Sequence, residues 1–338
     1  MSANAAIYGF LGPSISPDER SFFREAEPFG FILFARNCVS PDQILRLTND
    51  LREIAGRENV PILIDQEGGR VQRLRPPHWA ARPPARNFGR LHASDPDTAC
   101  RGAYLCSRLI AAELTALGIN VDCAPVLDVP VPGSHDVIGD RAFAEDPDLV
   151  ITLARFSMDG FLDGGVLPVI KHIPGHGRAT ADSHLALPRV GASHSELSAR
   201  DFAPFRALND APMAMTAHVV YEALDPDRPA TTSKKLVRDI IRREIGFDGL
   251  LMSDDLSMSA LEGPFATRTR QSLEAGCDVV LHCNGRMDEM IEIASAVPIL
   301  AGRARERAEA ALSKLRPPGP FDVAAANAAL GKMMGAVP

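Results

Sequence analysis

The segment Lys171-His172-Ile173-Pro174-Gly175-His176-Gly177 places a lysine and two histidines in a stretch whose glycines and proline disfavour a helix. Asp182-Ser183-His184 follows shortly after. A carboxylate two positions from an imidazole can hydrogen-bond it, fix its tautomer and stabilise its protonated form. That is what a general acid needs near neutral pH. Three neighbouring histidines also raise the question of a metal. His172, His176 and His184 lack a zinc-type spacing, however, and the chain has no His-Glu-x-x-His. No metal and no cofactor is expected. Further polar groups stand where apolar runs stop: Asp65-Gln66-Glu67-Gly68-Gly69-Arg70, Lys171-His172, His218, Ser253-Asp254-Asp255 and His282-Cys283-Asn284. Any one of these could be an ordinary helix cap. Five ends of the same kind are better explained by one shared site.

Such residues meet only if the elements carrying them converge. Eight short apolar runs recur, at 6–11, 30–34, 61–65, 120–124, 167–172, 212–218, 250–254 and 278–283. Most are continuously hydrophobic, as parallel strands buried on both faces must be. Helical patterns separate them. One follows Thr231-Thr232-Ser233, with a hydroxyl cap, an apolar stripe of Leu236, Val237, Ile240 and Ile241, and Gly246 at its end. Others run over 97–117 and 41–54, each stopping at a glycine. Eight alternating strands and helices predict an α/β fold of the (β/α)8 TIM-barrel type, a single domain whose mouth collects the strand C-termini. The competing architecture is an open doubly wound sheet. It lacks support, because Gly68-Gly69 does not have the spacing of a dinucleotide fingerprint. From about 297 the chain reads as a helical and irregular tail, interrupted by Pro317, Pro318 and Pro320.

A formal charge of −7 and the lack of any dense basic run argue against general nucleic-acid binding. The six cysteines form no Cys-x-x-Cys pair and read as reduced thiols. The apolar run at 5–11 has no basic region before it and is too short for a secretory signal, and no stretch is long enough to span a membrane. The cytoplasm is the expected compartment.

On these residues the chain resembles the β-N-acetylhexosaminidases of glycoside hydrolase family 3, of the bacterial cell-wall-recycling kind. Residues 171–188 resemble that family's lysine-histidine loop with its Asp-Ser-His tail. Residues 240–257, with Gly249-Leu250-Leu251-Met252-Ser253-Asp254, resemble its nucleophile signature. The segments 65–73 and Val137-Ile138-Gly139-Asp140-Arg141-Ala142-Phe143 resemble two further patterns. Ile173 stands where the family usually carries an aromatic residue, and Arg178-Ala179-Thr180 replaces its usual acidic start.

The resemblance implies roles. Asp254 would be the nucleophile. Its rival Asp255 is expected to point away, since side chains alternate along a strand. His184 would be the acid/base, with Asp182 as its partner. Asp65, Arg73, Arg141, Lys171 and His172 would hold the sugar, the cations also keeping Asp254 ionised. The implied reaction is retaining hydrolysis of terminal β-linked N-acetylglucosamine from anhydro-muramic-acid disaccharides or their peptides, by a monomer. Alternatives on the same residues are a glycoside phosphorylase, a metal-dependent barrel hydrolase and a non-catalytic sugar-binding protein.

Overall fold

The computed structural model describes residues 3–183, 185–335 and 337. All eight apolar runs become strands: β1 Asn4–Tyr8, β2 Pro28–Leu33, β3 Ile62–Ile64, β4 Val121–Asp122, β5 Leu167–Ile173, β6 Met213–Thr216, β7 Leu250–Asp255 and β8 Val279–His282. Each pairs in parallel with its sequence neighbour, and β1 also pairs with β8, so the sheet closes into a barrel. That closure excludes the open doubly wound alternative.

Alternation along the strands sorts the apolar residues into two cores. Ile7, Leu63, Val121, Val169, Met213, Met252 and Val279 fill the barrel interior. Tyr8, Phe31, Ile62, Ile170, Ala214, Leu251 and Val280 face the surrounding helices. The helices start where the sequence supplies oxygen caps. Ser16, Ser40 and Asp95 accept the amides of Glu19, Gln43 and Thr98, and proline opens each of the helices Pro17–Ala26, Pro41–Ala55 and Pro96–Ala116. Ser233 Oγ accepts the Leu236 amide at 3.1 Å where the chain enters the helix Leu236–Glu244.

The region beyond 297 contributes to the core. Leu300 and, from the helix Gly302–Leu312, Ala308 and Ala311 join the interior cluster with Ala3 and Ala5. They stop the N-terminal end of the barrel. The prolines interrupt the helical pattern, after which the helix Val323–Met334 packs on Pro96–Ala116. The connecting segment is held by Arg108, which donates to the Gly319 carbonyl at 2.7 Å and stacks on Phe321.

Candidate active site

A cavity of about 370 Å³ opens at the strand C-termini. That is within the range of small-ligand pockets. Its polar lining is Asp65, Arg73, Arg141, Lys171, His172, His176, Ser183, Asp254 and Asp255, among apolar walls that include Phe34, Ile138, Met215 and Met258. All the expected sugar-binding residues therefore line one cavity with Asp254. Two of the five polar strand ends contribute differently. His218 and His282 do not line it, and β8 reaches it through Leu281 and, just past the strand, Cys283. His282 instead bonds Glu289 at 2.9 Å. His184 lies outside the described residues; its neighbour Ser183 is in the wall, and Ser183 Oγ lies 3.2 Å from His176 Nε2. Asp182 lies in the same described loop.

The first half of the lining is built around β3. The chain leaves β3 at Asp65 and turns back through the small hairpin Gln66–Gly68 with Val71–Gln72. Gly68 has φ 96°, and a Cβ there would come within 2.5 Å of the Pro83 carbonyl oxygen, so only glycine suits the turn. Buried Gln66 then accepts the amides of Arg73 at 2.8 Å and Leu74 at 3.0 Å through its side-chain oxygen. This returns Arg73 over Asp65, with Nη2 3.0 Å from the carboxylate. Lys171 Nζ lies 2.8 Å from Asp65 and 2.7 Å from Glu67. Arg141 grips Glu67 through two bonds of 2.9 and 2.8 Å. Burial alone would raise both carboxyls. The cations outweigh it, holding Asp65 far below the usual carboxylate range and bringing Glu67 down to about 2. Lys171 and Arg141 are held above their ordinary values by the same carboxylates, against desolvation. The cluster is fully ionised at neutral pH.

The second half depends on Asp128, which sequence reasoning did not single out. Pairing of β4 with β5 continues past Pro125, through Lys171 donating to the Pro125 carbonyl and Leu127 donating to that of Lys171. This brings Asp128 level with His172. The Asp128 carboxylate takes the His172 ring nitrogen Nδ1 at 2.7 Å, the His172 amide at 3.2 Å and the His176 amide at 2.6 Å. One buried carboxylate thus shapes the loop after β5. Gly177 permits the approach, since a Cβ there would sit 2.2 Å from the Val129 carbonyl oxygen. The signal was available: the apolar run beyond β4 resumes after Pro125 and stops at Asp128, the same strand-end pattern used elsewhere. Glu67 was also unassigned, although it lies in a segment that was singled out. His176 is pushed down to about 4 by burial and by the neighbouring His172, so it is neutral.

Asp254 and Asp255 both line the cavity. Asp255 was expected to point away, yet as a residue it lines the cavity too. The register between β7 and β8 shifts between Met252 and Asp255, which breaks simple alternation. The two carboxylates differ in what they do. Asp255 Oδ1 accepts the amides of Ser257 at 2.9 Å and Cys283 at 3.1 Å, and Oδ2 takes the Ser257 hydroxyl at 2.5 Å. It ties two loops together. Asp254 Oδ1 accepts the following amide, of Asp255, at 2.8 Å, which orients the carboxylate. Among the described residues no three His, Cys, Asp or Glu side chains are arranged to hold a metal ion. No described helix is long and apolar enough to cross a membrane.

The sequence pattern of the glycosyl hydrolase family 3 N-terminal domain matches residues 14–314. A beta-hexosaminidase of Alkalilimnicola ehrlichii is 42% identical over 283 residues, covering 82% of this chain and 80% of that protein. One of Methylococcus capsulatus is 42% identical over 282 residues, covering 82% of each. The crystal structure of native NagZ from Neisseria gonorrhoeae superposes with a TM-score of 0.88 at 33% identity, over 100% of this chain and 99% of that one. The same neighbour in complex with N-trifluoroacetyl-D-glucosamine also has a TM-score of 0.88, at 33% identity over 99% of this chain and 98% of that one. With the barrel, the paired-charge cavity and this match in agreement, the chain is a glycoside hydrolase that belongs to glycosyl hydrolase family 3.

Proposed function

We propose that this β-N-acetylhexosaminidase releases terminal β-linked N-acetylglucosamine with retention, through a glycosyl ester on Asp254. Its natural substrates are muropeptide fragments bearing anhydro-N-acetylmuramic acid, and it acts as a cytoplasmic monomer. The observation that carries the reading is Asp254 at the end of β7, lining the same cavity as Asp65 and Lys171, which are ion-paired to each other. Relatives named beta-hexosaminidase and a neighbour holding a glucosamine derivative support the choice of sugar. The aglycone rests on the family resemblance.

Asp65 accepts hydrogen bonds from sugar hydroxyls, while Arg73, Arg141, Lys171 and His172 donate to oxygens of the ring substituents. Asp254 attacks the anomeric carbon as the bond to the aglycone oxygen breaks. His184, oriented by Asp182, gives that oxygen its proton. The neutral imidazole then takes a proton from water, which attacks the anomeric carbon and frees Asp254. Arg73, Arg141 and Lys171 each already have a carboxylate partner. That arrangement suits a neutral sugar and water better than an added phosphate, the mark of a phosphorylase.

The test is turnover of aryl β-N-acetylglucosaminide and β-glucoside, with and without phosphate, followed by trapping with a slow fluorinated glycoside. Asp254→Asn should lose on the order of a thousandfold or more in kcat. The label should sit on the Asp254 peptide. Phosphate-dependent product, or an active Asp254→Asn with a dead Asp255→Asn, would overturn the reading. His184→Ala should be damaged most on the natural disaccharide and least on dinitrophenyl glycosides. With the latter, azide should restore turnover because it needs no general base. Equal damage on both, without an azide effect, removes His184 from the acid/base role.

A further inference from the structure

His218 stands behind the cavity wall and is not used in the chemistry above. Its imidazole is fully buried, as are Thr216 and Thr231. Nε2 lies 3.0 Å from the Asp255 carbonyl oxygen, and Nδ1 lies 2.7 Å from Thr231 Oγ1. Thr231 Oγ1 lies 2.8 Å from Thr216 Oγ1, and Thr216 Oγ1 accepts the Asp254 amide at 3.3 Å. The carbonyl end and a neutral ring together set the direction of the bonds, because a carbonyl only accepts and a neutral imidazole has one donor and one acceptor nitrogen. Asp255 must receive a proton from Nε2, so the neutral ring accepts at Nδ1. The Thr231 hydroxyl supplies that bond and has spent its one proton. Thr216 must therefore donate to Thr231, which leaves Thr216 able to accept from the Asp254 amide. The Ala217 carbonyl, at 3.2 Å, is a longer competitor for the Thr231 proton. Burial lowers the His218 pKa, which agrees with the neutral ring the circuit requires.

We propose that His218, Thr231 and Thr216 form a one-way hydrogen-bond circuit that positions the nucleophile, running from the Asp254 amide to the Asp255 carbonyl. The inference rests on reading Asp254 as the nucleophile. Its effect reaches the carboxylate through one further bond, the Asp255 amide on Asp254 Oδ1. With the Asp254 amide and the Asp255 carbonyl both held, rotation of the peptide between them is restrained, and with it the Asp254 carboxylate that its amide orients. These are positioning residues; none of the three lines the cavity.

Two measurements test the circuit. In the wild-type protein, nitrogen-edited NMR at pH 7 should find the His218 ring neutral with its proton on Nε2. Kinetics of Thr231→Val, which keeps shape and removes the hydroxyl, should show kcat down about 10- to 100-fold with KM and inhibition by free N-acetylglucosamine little changed. Thr231→Ser should restore most of the loss. A proton on Nδ1, an imidazolium, unchanged kcat in Thr231→Val, or a Thr231→Ser as impaired as the valine variant would each overturn the proposal. If the valine variant does not fold, the NMR arm and Thr231→Ser decide it. Failure of the underlying reading is seen separately, as fluorosugar label found on a peptide other than that of Asp254 in the wild-type protein.

Discussion

Two ion-pair networks with the same count of charges sit at opposite ends of the barrel. At the mouth, Asp65 and Glu67 meet Lys171, Arg73 and Arg141. At the base, Asp248 and Asp278 meet Arg242, Arg303 and Arg307. Each has two carboxylates and three cations. The base network fastens backbone. Asp278 accepts the Leu251 amide at 2.9 Å as well as Arg242 at 2.8 Å, and Arg242 donates to the carbonyls of Phe247 and Gly249 at 3.0 and 2.8 Å. Its outer members Arg303 and Asp248 have side chains 61% and 63% exposed. Four of the five mouth residues line the cavity, and Lys171 is 2% exposed. Paired charges alone therefore do not mark a site. Their placement at the strand C-termini, around a cavity and in low dielectric, makes the difference, because charges held there keep their orientation for a ligand.

The sharpest break of that comparison is Lys171→Met. It leaves Asp65 and Glu67 buried together with one cation fewer. Stability should fall by about 3–5 kcal/mol, the usual cost of stranding buried charge. The variant should also lose about a hundredfold in kcat/KM through misplaced binding groups. Denaturant unfolding and steady-state kinetics measure the two. At the base, Asp278→Asn should cost about 1–3 kcal/mol with kcat/KM unchanged. If the base variant lost activity as severely, the separation of roles would fail.

A pH series sharpens the mouth side. Asp122 lies beneath the cluster, wholly buried, with Oδ1 accepting the Gln66 amide at 2.9 Å. Desolvation pushes its carboxyl up to about 8. Its folded pKa is therefore above the unfolded value of roughly 4. Its contribution to stability is full below roughly pH 4 and is lost as pH rises to about 8. Asp122→Asn, which keeps the acceptor and cannot ionise, should gain stability relative to wild type across that window. A constant difference in unfolding free energy from pH 5 to 8 would contradict it. The smallest effect is expected for Arg303→Ala, on the exposed edge of the base network. It should shift stability by about 1 kcal/mol or less and leave activity alone. A larger loss would mean that the base network is cooperative out to its solvent edge.

Much of this protein is determined locally, by neighbours along the chain. Strand periodicity, oxygen caps and glycine stops are short-range effects, so all eight strands and the helices 41–54 and 97–117 could be read within a residue or two at most boundaries. That Asp65, Arg73, Arg141, Lys171, His172 and Asp254 share one cavity was legible because each sits in a recognisable segment at a strand end or in a loop. Other features arise only from contacts between distant segments. Asp128 organises His172 because β4 and β5 keep pairing past a proline, and Glu67 becomes the partner of Arg141 only when two loops meet. Alternation did not anticipate that Asp255 joins Asp254 in the cavity lining, because the register shift between β7 and β8 depends on the pairing strand, which a strand's own residues do not encode. His218 read as one more polar strand end. Its place in a circuit with Thr231, Thr216 and the Asp254 backbone depends on β6, β7 and the turn Ala230–Thr232 closing on one another. A hydrogen bond is decided at 3 Å, and only the tertiary fold brings such groups that close.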